Sequence, residues 1–234
     1  MDTALVEELR NLTTPHLADG CLRVGVPIRF APAGVRPLVD GMCCVGRARP
    51  VRHVGSIDIF LEAFEQSEPG EVLVIDNGGR RDEACIGDII VLEAQAAGLA
   101  GFVIWGLHRD NKELEETGFP VFSLGAVPAG PQRLHIRPPD VFTRAAFDRY
   151  SVTADDFVVA DTNGVLFLPI DRLVDIVAAA KACRETEGKQ IRAMKEGQTY
   201  RSQTRFAGYL ERRKQDPGYG FRQHLRDIEA AGEV

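Results

Sequence analysis

Asp88, Arg109 and Asp110 are the residues of this chain whose types and placement best suit chemistry. Arg109 and Asp110 follow an apolar run, and Asp88 stands at the predicted start of the preceding helix. A hard divalent ion such as Mg²⁺ takes one or two carboxylates, keeps several waters and lets a substrate complete its octahedron. Arg109 can grip a substrate carboxylate through two parallel hydrogen bonds. The amides of Asp88, Ile89 and Ile90, at a helix start, can hold an anion through unpaired N–H groups and the helix dipole. The same charged residues also make an ordinary salt-bridge cluster, so residue types alone leave both readings open.

Other chemistries fail on spacing. His108-Arg109-Asp110 spells the kinase catalytic triplet, but Glu115 stands where that motif needs asparagine, and no glycine-rich phosphate loop or DFG accompanies it. Gly78-Gly79 falls short of the GxGxxG dinucleotide fingerprint. Cys85 has no histidine in a recognisable partner relation. His16, His53, His108, His135 and His224 show no HxxxH or HxH zinc spacing. No lysine stands at a strand end to form a Schiff base.

The elements that position these residues read as strand, glycine turn, helix and strand across residues 72–105. The β-branched run from Val72 suits a buried parallel strand. Asn77-Gly78-Gly79 then breaks it and frees backbone amides to approach a ligand. A helix spans residues 87–97, closed by Gly98. A second buried strand covers residues 101–105, so Arg109-Asp110 lies past a strand's carboxyl end, where open α/β sheets place ligands. Around this unit we expect helices at 3–11 and from Thr13-Thr14-Pro15 to Gly20, a strand at 41–51, and a helix at 56–66 capped by Ser56. Further expectations are a strand at 119–123, a hairpin turning at Asn163-Gly164, and helices at 169–194, 201–211 and 221–231.

Composition bounds the class. Of 234 residues, 44% are hydrophobic and 26% charged, enough for a substantial core, and the net charge of −6 argues against nucleic acid or an anionic membrane as partner. From Lys181 onward there are 12 Lys/Arg against 8 Asp/Glu, so the tail carries +4 and residues 1–180 carry −10. That asymmetry suits either an ordinary solvated helix face or docking between subunits. The N-terminus has neither the basic start nor the apolar centre of a signal peptide, and no apolar run approaches the roughly 20 residues a membrane span needs. Five cysteines, Cys21, Cys43, Cys44, Cys85 and Cys183, without CxxC spacing, read as reduced thiols in a cytoplasmic protein.

The run GGRRDEACIGDIIVLEAQAAGLAGFVIWGLHRD is more specific than its residue types. Its glycine pair, Ala84, Gly87-Asp88, Gly98, Gly101, Gly106 and Arg109-Asp110 resemble the ribonuclease-activity regulator A (RraA-like) family, which includes the 4-hydroxy-4-methyl-2-oxoglutarate aldolases. Upstream GSIDIFLEAFEQSEPGEVLVIDNGG and downstream VVADTNGVLFLP extend the similarity over roughly residues 13–195. Arg81-Asp82-Glu83, Trp105, His108 and the long extension past Gly197 depart from the family pattern.

The resemblance implies a layered α/β/β/α sandwich of the swivelling β/β/α type. Residues 1–170 form its domain, and residues 171–234 form a helical extension packing on a neighbouring subunit. It also implies Asp110 binding Mg²⁺, Mn²⁺ or another divalent cation directly and Asp88 binding it through water. Arg109 contacts substrate and Gly87, Asp88, Ile89 and Ile90 cradle the acid. Glu185 or Glu187 of a neighbouring chain completes the site in a homotrimer or dimer of trimers. The implied activity is a carbon–carbon lyase, aldolase or oxaloacetate decarboxylase, on a 2-oxo acid. The alternative is a non-enzymatic, protein-binding ribonuclease regulator.

Overall fold

A computed structural model of the chain describes residues 3–132 and 136–228. Helices α1 (Thr3–Arg10) and α2 (Thr14–Arg23) open it, followed by strands β1 (Arg36–Pro37) and β2 (Cys44–Arg52) and helix α3 (Asp58–Glu65). The central region runs β3 (Val72–Asp76), β4 (Ala84–Ile86), α4 (Asp88–Ala96), β5 (Gly101–Trp105), β6 (Leu107–His108), α5 (Asn111–Thr117) and β7 (Val121–Ser123). Strands β8 (Ala145–Phe147), β9 (Tyr150–Val152), β10 (Asp156–Asp161) and β11 (Gly164–Pro169) follow. Helices α6 (Leu173–Lys195), α7 (Tyr200–Gln203), α8 (Phe206–Gln215) and α9 (Phe221–Asp227) end the described chain.

Seven strands form one sheet in the order β1-β7-β5-β3-β2-β10-β11, with β2, β3, β5 and β7 parallel. Residues along β3 alternate between two cores. Val72 and Val74 face inward with Val103, Phe122, Phe147 and Phe167, while Leu73 and Ile75 face outward under α3 and α4. Burial on both faces explains why β3 up to Ile75, and β5, read as unbroken apolar runs. The sheet curls back on itself. Ala31 donates its amide to Val165 O and Phe167 donates to Arg29 O, so the stretch leading to β1 links β11 to the β7 edge.

Two halves of the sheet thereby enclose the inner core. Helices α3, α4 and α5 cover one outer face, and α1, α2 and α6 cover the other. The expected α/β/β/α layering is present, with a helical C-terminal region beyond it. Each large apolar side chain buried in these cores contributes on the order of 1.5–3 kcal/mol.

Several local expectations change. Gly20 does not end its helix. It sits inside α2, where a Cβ would stand 2.6 Å from the Ile176 carbonyl oxygen, so glycine lets α2 and α6 touch backbone to backbone. Ser56 does not cap α3, whose N-cap position is Ile57 without a side-chain bond. The β10–β11 turn is centred on Thr162-Asn163, one residue earlier than expected, because Asp161 and Gly164 are the last paired residues. The β8–β9 hairpin, turning at left-handed Asp148, was not expected. The helix expected at 201–211 is two, α7 and α8, separated at Arg205 with φ 47°. The part of the last helix expected to reach Ala231 lies outside the described residues.

All five cysteines are free, and only Cys43 is exposed. Burial raises the Cys44 thiol strongly and pushes Cys21 up to about 11, so neither offers a thiolate nucleophile near neutrality. Among the described residues no helix is long and apolar enough to cross a membrane. The Gly20 contact yields a test. Gly20→Ala should destabilise the fold by about 1–3 kcal/mol through overpacking at the α2–α6 crossing. The urea midpoint measures this, and an unchanged midpoint would mean the helices separate freely there.

Candidate functional site

The short parallel pairing of β4 with β6 assembles the site. Ala84 pairs with Leu107 and Ile86 with His108, and Arg109 then donates its amide to Ile86 O at 3.1 Å. This sets the two residues after β4, Gly87 and Asp88, against the two after β6, Arg109 and Asp110. The expected strand–helix–strand unit therefore contains an extra strand pair, and that pair joins the two halves of the motif. Ala84 also donates to Ala129 O at 2.7 Å and His108 to Gly125 O at 3.0 Å, which lays the segment up to Gly130 alongside.

Asp110 adopts the left-handed conformation, φ 64° and ψ 43°, which aspartate tolerates better than most residues. Its Oδ2 accepts from the Asp88 amide at 3.3 Å and lies 3.3 Å from Arg109 Nε. A Cβ on Gly87 would stand 2.1 Å from that oxygen, so the carboxylate rests on bare glycine backbone. Gly130 acts similarly toward Arg109. A Cβ there would come within 2.9 Å of Nη1, leaving the guanidinium in a slot between two glycines. The terminal amino groups of Arg109 have no hydrogen-bond partner among the described residues, and its side chain is 46% exposed. A guanidinium so placed is available to a carboxylate ligand.

The α4 N-terminus is already occupied by the protein's own acids. The Asp88 amide serves Asp110, and the Ile89 amide bonds Asp88 Oδ1 at 2.7 Å. The Ile89 side chain is exposed and that of Ile90 is buried in the outer core. His108 faces inward. Its Nδ1 meets Ser123 Oγ at 2.7 Å and its Nε2 meets Asn111 Oδ1 at 2.8 Å, which ties down the residue following Asp110.

The glycine turn fails as a ligand cradle. Asn77 and Gly79 both donate their amides to Trp105 O at 3.0 Å, and Gly78 donates to Asp76 Oδ1 at 2.8 Å. The turn is instead a clamp across the ends of β3 and β5, with Gly79 at φ 65° pressed on the Trp105 ring. On α6, Glu185 pairs with Lys189, and Glu187 with His16 of α2, in the opposite helical layer from α4 and α5. Within one chain they are not grouped with Asp110.

The donor set fits a hard divalent cation. Asp110 is a partly exposed carboxylate backed by glycine, with a second carboxylate, Asp88, at the adjoining helix start. Among the described residues no three His, Cys, Asp or Glu side chains converge. An ion would therefore be held by one or two carboxylates and completed by water and substrate, the manner of Mg²⁺ rather than of a protein cage.

Comparison with known proteins shows the family. A family profile described as "RraA-like: Aldolase/RraA" matches residues 14–167. The chain belongs to the RraA-like family. It is 26% identical over 202 residues to Protein DlpA of Legionella pneumophila, covering 83% of this chain and 32% of that protein, so it spans about a third of that relative's length. A Halalkalibacterium halodurans protein provisionally named a 4-hydroxy-4-methyl-2-oxoglutarate aldolase is 27% identical over 161 residues, 68% of this chain and 76% of its own. The Streptomyces coelicolor structure RraAS2, described as an unusual member of the RNase ES inhibitor RraA family, superimposes with TM-score 0.71 at 25% identity. That match covers 80% of this chain and 96% of that one. The Gly-Asp and Arg-Asp pairs lie inside the matched residues.

Two predictions follow from the geometry. Gly87→Ala should push the Asp110 carboxylate aside, and any Mn²⁺ held by that carboxylate should then bind roughly 10–100-fold more weakly. Calorimetric titration reads the change, and unaltered affinity would detach Asp110 from the ion. The second concerns His108, whose imidazole burial holds below its ordinary value of 6.5 against opposing effects of Asn111 and Asp110. The unfolded chain then takes up a proton before the folded one does. Stability should be level above about pH 6.5 and fall as pH drops from there toward the folded value. His108→Gln should flatten that limb in urea midpoints measured against pH.

Proposed function

We propose that this protein is a divalent-metal-dependent carbon–carbon lyase acting on a 2-oxo acid, of aldolase or oxaloacetate-decarboxylase type. The observation that carries the reading is the Asp110 carboxylate seated on Gly87 at the start of α4, with the Arg109 guanidinium open beside it. Mg²⁺ or Mn²⁺ held by Asp110 would supply Lewis-acid stabilisation of negative charge developing on the substrate oxygens. Arg109 binds the 2-oxo acid carboxylate and fixes its orientation. The amides of Asp88, Ile89 and Ile90 face the same acid once the protein's own carboxylates yield to it.

In aldol cleavage the hydroxyl proton leaves as the carbon–carbon bond breaks, and the bonding pair moves into the 2-oxo acid as its enolate. Protonation of the methylene carbon then gives pyruvate. Asp88, reached through water, takes the first proton and returns the second. Decarboxylation of oxaloacetate leaves the same enolate, so one arrangement serves both reactions. The reading includes a homotrimer or dimer of trimers. Glu185 or Glu187 of a neighbouring copy would complete the site, since α6 lies on the opposite layer of the same chain. Family membership and the aldolase names of relatives support the lyase class.

The test is pyruvate release from a panel of 2-oxo acids with Mg²⁺ and then with EDTA. Release should require the ion and return on adding it back. Asp110→Asn keeps a residue that tolerates the left-handed backbone, so the melting temperature should hold while turnover falls by about 10²–10³-fold or more. Wild-type rates in that variant at saturating Mg²⁺ would sink the mechanism. The description of the Streptomyces structure favours a second reading, a non-enzymatic protein-binding regulator. Silence on every 2-oxo acid together with retention of a ribonuclease on the immobilised chain would favour it.

A further inference from the structure

The segment after β7 forms a strap beside Arg109. Val127 donates its amide to His108 O on β6 at 3.0 Å, and Ala129 O accepts from the Ala84 amide on β4 at 2.7 Å. The strap thus runs from one strand of the site-forming pair to the other. Pro128 and Pro131 stiffen it, because each ring fixes its own φ. Its far end is held by a side chain. Glu83 Oε2 accepts from the Gln132 amide at 3.2 Å, and Glu83 Oε1 lies 3.4 Å from Arg80 Nε.

Glu83 is only 1% exposed, although Arg81 and Asp82 beside it face water. A carboxylate taken out of water is costly to the fold unless it is paired and hydrogen-bonded. Arg80 and the Gln132 amide meet that requirement, and Arg80 is itself braced by Asp82 at 2.5 Å. Between the two pinned residues, Ala129 and Gln132, lies Gly130, the outer wall of the Arg109 slot.

The atoms of Arg109 make the position of that wall matter. Nε faces Asp110 at 3.3 Å, so the edge left for a planar carboxylate is the Nη1–Nη2 pair. Nη1 is the atom that Gly130 covers, since a Cβ on that glycine would stand 2.9 Å from it. A strap displaced toward the guanidinium would block one tine of the fork, and a strap displaced outward would let the fork tilt.

We propose that Glu83 is a positioning residue for acid recognition at Arg109. Its bond to the Gln132 amide fixes the Gly130 wall, and the wall fixes the plane in which Nη1 and Nη2 meet a substrate carboxylate. The proposal rests on the reading that Arg109 binds a 2-oxo acid. Glu83 belongs to the Arg81-Asp82-Glu83 step, where this chain departs from the family pattern, so the anchor is a feature of this chain.

The experiment titrates pyruvate into the full chain with Mg²⁺ present, by calorimetry. In parallel, NMR follows the Arg109 Nε–H signal, assigned through its loss in Arg109→Lys. Glu83→Ala removes the acceptor and should weaken pyruvate binding about 10–100-fold while moving the Arg109 signal. Glu83→Gln keeps an oxygen for the Gln132 amide and should bind within about threefold of the unaltered chain. Gly130→Ala, with Glu83 intact, should reproduce the loss by pressing on Nη1. Backbone amide shifts in Glu83→Ala should stay within the strap and the candidate site. Shifts spread through the fold would mark general damage and overturn the positioning role. Unchanged affinity in Glu83→Ala, or Glu83→Gln as weak as Glu83→Ala, would overturn that role and leave the 2-oxo acid reading intact. An unaltered chain that binds no pyruvate would remove the acid reading, and the role of Glu83 with it.

Discussion

The Asp110 carboxylate lying on the bare backbone of Gly87 is the contact on which the rest of the site depends. A side chain of any size at position 87 would occupy the place of the oxygen. The contact is possible because β4 and β6 pair in parallel, and because Arg109 extends that pairing by one more hydrogen bond to Ile86. The left-handed turn at Asp110 then swings its carboxylate back toward the start of α4. A non-glycine residue in that conformation carries strain on the order of 1–3 kcal/mol, which the surroundings must offset. The His108 ring contributes by holding Asn111, the next residue, in place.

Layering decides what one chain can and cannot bring to this point. The inner core between the two halves of the sheet fixes where β3 and β5 end, and the Asn77–Gly79 amides clamp those ends together through Trp105. The site therefore opens at the α4–α5 side. Acids on α6 belong to the other outer layer, where Glu187 meets His16 and Glu185 meets Lys189. One chain supplies two carboxylates and a guanidinium at this point, and the described acids of α6 stay paired in their own layer.

Much of this was legible in the sequence, and for identifiable reasons. The runs at Val72 and Gly101 are plain because strands buried on both faces are apolar along their length, β3 up to Ile75 and β5 up to Trp105. The Gly-Asp and Arg-Asp pairs were visible because glycine beside aspartate at a helix start is a local signal. The strand pair that unites them was not, since β4 has three residues and β6 two, too few for any periodicity. Gly20 and Gly78-Gly79 misled in the same way. Gly20 suggests a helix end and Gly78-Gly79 an approach of backbone amides to a ligand, whereas Gly20 serves a tertiary approach to α6 and Gly79 an approach to Trp105. A sequence shows that a side chain is missing without showing which neighbour fills the space.

The triplet His108-Arg109-Asp110 makes the same point at the level of electrostatics. Three consecutive residues take three directions: His108 into the core, Arg109 into its glycine slot, Asp110 back over Gly87. A cationic imidazole beneath them would repel Arg109 and any divalent ion near Asp110. Burial opposes that charge, and the Asn111 and Asp110 neighbours that favour it are outweighed. A neutral ring can still donate from Nε2 to Asn111 Oδ1, which leaves Nδ1 as an acceptor 2.7 Å from Ser123 Oγ. The histidine thus anchors the turn without adding positive charge beside Arg109 and Asp110.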